Sequence, residues 1–129
     1  MKIKSIGSWA VLASLLAFST PILAHHGYAA YDMLSTRTMK GTVSYFAMVN
    51  PHGQIGIDTK GDNGEIQHWV MESGSAHGLK DQGFESDTFK AGDEVTVYFH
   101  PGKGDPHVGL FIKVVFPDGR ILPKPKASE

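Results

Sequence analysis

Five short runs in which apolar and polar residues alternate, with a single helical stretch between the third and the fourth, restrict this chain to a few β-rich folds. The first run, Thr38 to Val49, carries Met39, Gly41, Val43, Tyr45, Ala47 and Val49 on one face. Gly41 within it predicts a bulge or sharp bend, which lets one strand serve two halves of a barrel. Asn50-Pro51-His52-Gly53 ends that run, because proline cannot continue a ladder. Gln54 to Thr59 follows with Ile55 and Ile57 on one side, then the polar hairpin Lys60–Gly64. Glu65 to Glu72 reads two ways, with Ile66, His68, Val70 and Glu72 on one side and Gln67, Trp69 and Met71 on the other. Trp69 covering the core turns His68 and Glu72 outward. Ser75 to Gln82 is the helical stretch, with Ser75 as N-cap and Gly83 as its stop. Glu94 to His100 points Val95, Val97 and Phe99 inward, and Val108 to Phe116 does the same with Leu110, Ile112, Val114 and Phe116. Pro117-Asp118-Gly119 turns the chain into a short return, Arg120 to Leu122.

Three strands, a short helix and two strands is the element order of the OB-fold. The expectation is a mainly β domain over residues 38–122: a five-stranded OB-like barrel, closed or partly open, with one short helix between strands 3 and 4. A small sandwich or an open meander is the competing arrangement, but a short helix at this position has little purpose in a sandwich.

Met1-Lys2-Ile3-Lys4 supplies a positive start, Ile6 to Phe18 an apolar run short for a bilayer, and Ala24 a small-residue stop. Residues 1–24 therefore read as a signal peptide, and the address as periplasmic or secreted. Residues 25–37 lack a period of either kind and read as an N-terminal packing segment. Residues 123–129, rich in proline and lysine, read as a disordered tail. Removing 24 of the 129 residues leaves 105, enough for one domain. It also takes two lysines, which moves the net charge from −1 to −3. That balance disfavours nucleic acid and, after cleavage, an anionic membrane surface as partners. There is no cysteine, so thiol chemistry, thiolate metal sites and disulfide bracing are excluded.

Cleavage after Ala24 would place a free α-amine and an imidazole on the same residue, His25, with His26 beside it. That pair can chelate one ion, and a histidine from another loop would complete a three-nitrogen set. Such a set suits Cu(II) best and zinc or nickel less well. In an OB-like barrel the loops joining strands 1–2 and 4–5 lie near one another. Here they hold His52 and, in the second, His100 and His107. The expected metal-ligating residues are thus His25, His26, His52, His100 and His107, and the expected cofactor is copper. The N-terminal segment must then double back along the barrel, held there by Tyr28 and Tyr31. The plainer reading is a solvated chain end, with His52 bonded to its own turn.

Other constellations are weaker. Met33, Met39, Met48 and Met71 read as core filler rather than soft ligands. Trp69, Tyr98, His100 and Phe111 could line an outward aromatic face for a glycan. Glu72 with His68 or His77 could form an acid–base pair, but no nucleophile motif accompanies it. Asp58, Asp62 and Asn63 lack the calcium-loop spacing. Binding is accordingly favoured over catalysis. The leading expectation is an exported metal-binding barrel. The alternative is a metal-independent module that holds a peptide, glycan or envelope protein.

His25-His26-Gly27-Tyr28-Ala29-Ala30-Tyr31-Asp32, Lys40-Gly41-Thr42-Val43, Asn50-Pro51-His52, Glu72-Ser73-Gly74-Ser75 and Gly92-Asp93-Glu94-Val95 together resemble a family of small exported bacterial proteins. That family is a domain of unknown function. Its members usually read His-His-Ser-Phe-Ala after the signal, where this chain has Gly27-Tyr28 in place of Ser-Phe. They more often show an acidic residue, methionine, glycine and Ser-Pro where this chain has Glu72-Ser73-Gly74-Ser75. The resemblance runs from His25 to about Leu122 and implies an exported β-rich domain. It brings no activity, cofactor or catalytic residue.

Overall fold

A computed structural model describes residues 26–125, with His26 described only in its backbone. The signal peptide expected at 1–24, His25 and the tail beyond residue 125 lie outside the described residues. The elements are α1 (His26–Ala29), β1 (Arg37–Ala47), β2 (Gln54–Lys60), β3 (Ile66–Glu72), α2 (Ala76–Asp81), β4 (Glu94–Pro101), β5 (Val108–Val115) and β6 (Ile121–Leu122). The strands pair in the order β3-β2-β1-β4-β5-β6, and β3 also pairs with β5. That last contact closes a five-stranded barrel, with β6 as an extra strand beside β5. The expected OB-like order is the observed one. All contacts are antiparallel except the β3–β5 seam, which is parallel and only three residue pairs long.

β1 serves both halves, as its glycine foretold, but the irregularity sits elsewhere. Its first half pairs with β4 and its second with β2, and Thr42 faces partners on both sides. The register shifts between Val43 and Tyr45, so the extra residue is Ser44 and not Gly41. Gly41 is needed for close approach: a Cβ there would lie 2.5 Å from the Ile57 side chain and 2.8 Å from the Asp58 carbonyl oxygen. The bulge also corrects the expected inward face. Val43 is buried, but beyond Ser44 the phase inverts. Phe46 and Met48 pack on the core, and Tyr45 and Val49 are exposed.

β5 carries a second bulge with the same effect. Tyr98 pairs with Lys113 and Phe99 with Phe111, which leaves Ile112 as the extra residue. Val114 and Phe116 face inward as expected, while before the bulge Gly109 and Phe111 do so in place of Leu110 and Ile112. The remaining strands follow their alternation. Val95, Val97 and Phe99 are buried on β4, and Trp69 and Met71 pack inward on β3.

The helix is where its capping residues put it. Ser75 accepts from the Gly78 N–H, and Gly83, at φ +92°, ends the turn. Leu79 and the following loop drive Phe84 and Phe89 into the core against Phe46, Phe111 and Phe116. These rings stack, tilt or meet edge-on at 5.0–6.2 Å between centroids, within the range where aromatic pairs attract beyond simple burial. Met39, Met48 and Met71 belong to the same core or pack on it, as expected of filler, whereas Met33, expected to do the same, is exposed.

Candidate functional site

The chain before β1 lies as a strap across the closing seam of the barrel. Its backbone is tied to the β4–β5 loop: Tyr31 bridges Gly102, the Asp32 N–H donates to the Pro101 carbonyl, and the Lys103 N–H donates to that of Ala30. Beneath it runs one row of outward residues, Glu72, Leu110 and His100, which are lateral neighbours on β3, β5 and β4, and the strap meets the two ends of that row. The Tyr31 hydroxyl donates a hydrogen bond to Glu72 Oε2, and His100 Nδ1 lies 2.7 Å from the Ser35 carbonyl. A local turn stiffens the strap, with Asp32 accepting from the Ser35 hydroxyl and the Leu34 N–H. Those bonds hold the Asp32 carboxyl below its ordinary range, with the Ser35 hydroxyl the largest cause. Tyr31 is 4% exposed, and its burial, followed by its bond to Glu72, pushes the phenol well above its ordinary pKa. Tyr28, expected to help hold the segment, is 69% exposed and does not.

A cleft of about 440 Å³ opens between the strap and the β1–β2 loop. Gly27 and Tyr31 line one side, Pro51 and His52 the other, with Glu72 and Leu110 between them. The β1–β2 loop is held against the end of β3 by backbone bonds from Gly53 N–H to the Gly74 carbonyl and from Ser73 N–H to the Gly53 carbonyl. The Asn50 side chain accepts from the Ala76 N–H at the start of α2. Gly53 is required there, since a Cβ would come within 2.6 Å of Leu79 and 2.8 Å of the Ser73 hydroxyl.

The expected ligand residues have distinct surroundings. His52 lines the cleft, with Nδ1 3.3 Å from the Ser73 carbonyl. A carbonyl only accepts, so Nδ1 is the donor of this contact, and in a neutral ring that arrangement leaves the Nε2 lone pair as the one with which histidine ligates. The same logic applies to His100 and Ser35, but that ring lies under the strap and outside the cleft lining. The His107 ring meets Trp69 edge-on at 4.8 Å, on the face of β3 opposite to Glu72. His26 begins the strap, one residue before the cleft wall at Gly27, and His25 precedes the described residues. Among the described residues, no group of three or more His, Cys, Asp or Glu is spaced to share an ion.

Two other readings are corrected. Trp69 and Phe111 pack against the core, so they do not join Tyr98 and His100 on an outer aromatic face. Glu72 engages Tyr31, whereas His68 pairs with Asp58 at 2.7 Å and His77 with Asp81 at 3.3 Å. The Tyr31–Glu72 pair was not foreseen as a site. The available signal was Glu72 placed outward by Trp69, next to a strand end, with an aromatic segment upstream that had no partner of its own.

Among the described residues no helix is long and apolar enough to cross a membrane. No curated protein and no solved structure matches the chain. The model of a family of unknown function, DUF6152, matches residues 12–119, most of its length. The strapped barrel, its His-rich leading segment and its Asn-Pro-His loop are thus features of a member: the chain belongs to this family of unknown function.

Proposed function

We propose that the protein is an exported metal-binding barrel whose ion, of copper type, is held where the processed N-terminus meets the β1–β2 loop. The α-amine and imidazole of His25 form the chelate, His52 Nε2 adds the third nitrogen, and His26 is the spare donor beside them. Copper suits this nitrogen-rich set better than zinc or nickel. The observation that carries the reading is the course of the strap. It brings Gly27 to the wall of the cleft that holds His52, so His25 begins two residues from that wall. Two residues of extended chain span about 7 Å at ~3.3–3.6 Å per residue, so the reading requires the amine to turn back toward His52. His100 and His107 are engaged elsewhere and are not needed.

An amine with an ordinary pKa of about 7.7–8.0 must lose its proton to ligate. Affinity therefore rises with pH through that window. The test is Cu(II) affinity of the protein beginning at His25, with the α-amine free or acetylated. Acetylation should weaken binding by about 100-fold or more, which is about 2.7 kcal/mol, and His52→Ala by at least about tenfold. Equal affinity of the free and acetylated forms would sink the proposal.

One observation favours the metal-independent reading. Tyr28, Met33 and Leu34 are exposed together on the strap, Leu34 fully, and line a groove that abuts Lys103. Such a patch fits a peptide or protein partner of the envelope. If Leu34→Asp abolished capture of that partner from envelope extract with chelator present, while acetylation of His25 changed nothing, this reading would replace the first.

A further inference from the structure

Beyond the metal reading, and without resting on it, we infer that the outer face of β1, β2 and β3 is a glycan-binding platform centred on Tyr45. Its ligand is an uncharged chain of β-linked, gluco-configured pyranoses. The bulge at Ser44 turns Tyr45 out of the core, and the strand registers then fix what surrounds it. Tyr45 pairs with Gly56, and Gly56 with Val70, so these three form one outward row. Asp58 and His68 make the row on one side, and Gln54 begins the row on the other. Rows two residues apart on a strand are separated by about 7 Å, at ~3.3 Å per residue.

The middle row is flat because Gly56 carries no side chain. A Cβ there would strike the Tyr45 ring and come within 2.5 Å of the Ser44 hydroxyl, so the ring lies down across β2. It is still 41% exposed. Its hydroxyl donates to Gln54 Oε1 at 3.2 Å, which ties the ring to the next row and leaves the amide nitrogen of Gln54 as a donor. On the other side, His68 Nδ1 lies 2.7 Å from Asp58 Oδ1. The carboxylate accepts, so Nδ1 is the donor and Nε2 is left for a ligand. His68 itself is exposed.

This is the chemistry a sugar needs. The C–H face of a pyranose with equatorial substituents is flat and apolar and packs on an aromatic ring, while its rim hydroxyls need groups that donate and accept. The row spacing is close to the width of one such ring. A residue seated on Tyr45 therefore meets the Asp58–His68 pair along one rim and Gln54 along the other. OB-like barrels bind oligonucleotides and oligosaccharides on this side, and charge selects between them. A phosphate chain needs cations to replace its counterions. These rows hold no lysine or arginine and do hold a carboxylate, Asp58. An extended peptide needs an open strand edge for its backbone. Here β2 is paired on both sides, and β3 is closed by β5 from Val70 onward.

The test titrates the isotope-labelled protein, with chelator present, with cellohexaose and with the hexamer of N-acetylglucosamine, and follows amide shifts and heat. At least one of these sugars should shift the amides of Tyr45, Gly56, His68 and Val70 saturably. Tyr45 lies outside the core, so Tyr45→Ala should fold, as its amide spectrum will show, and should weaken binding about tenfold or more. Tyr45→Phe keeps the ring and should stay within about threefold of wild type, whereas His68→Ala should cost about 3–10-fold. Tyr98→Ala, on β4 and outside these rows, should leave affinity unchanged. No saturable shift with either sugar, shifts centred away from these strands, or full affinity in Tyr45→Ala would overturn the inference. So would binding of an oligothymidylate or of a tryptic casein digest on this face while both sugars are inert. Because chelator is present throughout, the metal reading can fail without touching this one, and the reverse.

Discussion

The aromatic plug and the strapped cleft are held by different physics. In the plug, Phe46, Phe84, Phe89, Phe111 and Phe116 meet ring to ring, Phe84 and Leu79 are fully buried, and the stabilisation is apolar area removed from water. At the cleft, a strap with few buried residues lies over a seam of three parallel pairs, tied by a handful of hydrogen bonds. Among its described side chains the well-buried one, Tyr31, is amphipathic, with the ring covered and the hydroxyl bonded to a carboxylate. Stability is thus concentrated where the buried side chains are apolar, although exposed Glu85, Asp87 and Lys90 flank the rings, and the polar side chains of the cleft lie where local stability is low. The two regions touch at Gly53, which packs on Leu79 from one side and carries the β1–β2 loop on the other.

The largest expected effect breaks the comparison at the plug. Phe84→Ala removes a fully buried ring and its edge contacts, and should cost about 3–5 kcal/mol of unfolding free energy. Denaturant unfolding measures it, and a loss below about 1 kcal/mol would mean that the rings do not carry the fold. Tyr31→Ala should act locally. Amide exchange at the seam, at Val70 and Glu72, should accelerate by tenfold or more, while that of Val97 changes little. Uniform acceleration would show that strap and plug unfold together. Gly53→Ala sharpens the link between the regions. Its Cβ must displace Leu79 or Ser73, so a loss of about 1–3 kcal/mol is expected, together with weaker metal binding.

The smallest effect concerns the strap turn. The Asp32 carboxyl titrates below its unfolded value of about 3.9. Its contribution is therefore present above that pH and lost as pH falls through the lowered folded value. Ser35→Ala removes the largest cause, so the Asp32 midpoint followed by nuclear magnetic resonance should rise toward 3.9. An unmoved midpoint would show that the turn is not formed in solution.

The plug region was more legible in the sequence than the cleft. Strand order, helix caps, the inward residues of β4 and the orientation of Trp69 followed from alternation and turn chemistry, which are local signals. The bulges at Ser44 and Ile112 were not legible, because an extra residue in a ladder leaves no mark in composition and shows only when a partner strand is aligned. Each inverted the inward face of half a strand, and one of them sent Leu110 outward into the seam row. The strap was anticipated as a segment that doubles back. Its anchor at Glu72 was not, because that contact joins positions 41 residues apart through a parallel pairing. The position of His52 on the β1–β2 loop followed from strand order, but the cleft it lines did not. The fates of His100 and His107 depended on which neighbours, Ser35 and Trp69, reached their rings.

Paramagnetic broadening by one equivalent of Cu(II), mapped on the amide spectrum of the isotope-labelled protein beginning at His25, tests the central claim most directly. If the ion sits between strap and loop, the signals of Gly27, His52, Ser73 and Gly74 should vanish first, with those of the Asp58–His68 hairpin and of Phe84 retained. Broadening centred on His68 or His77, or spread evenly over the surface, would contradict it.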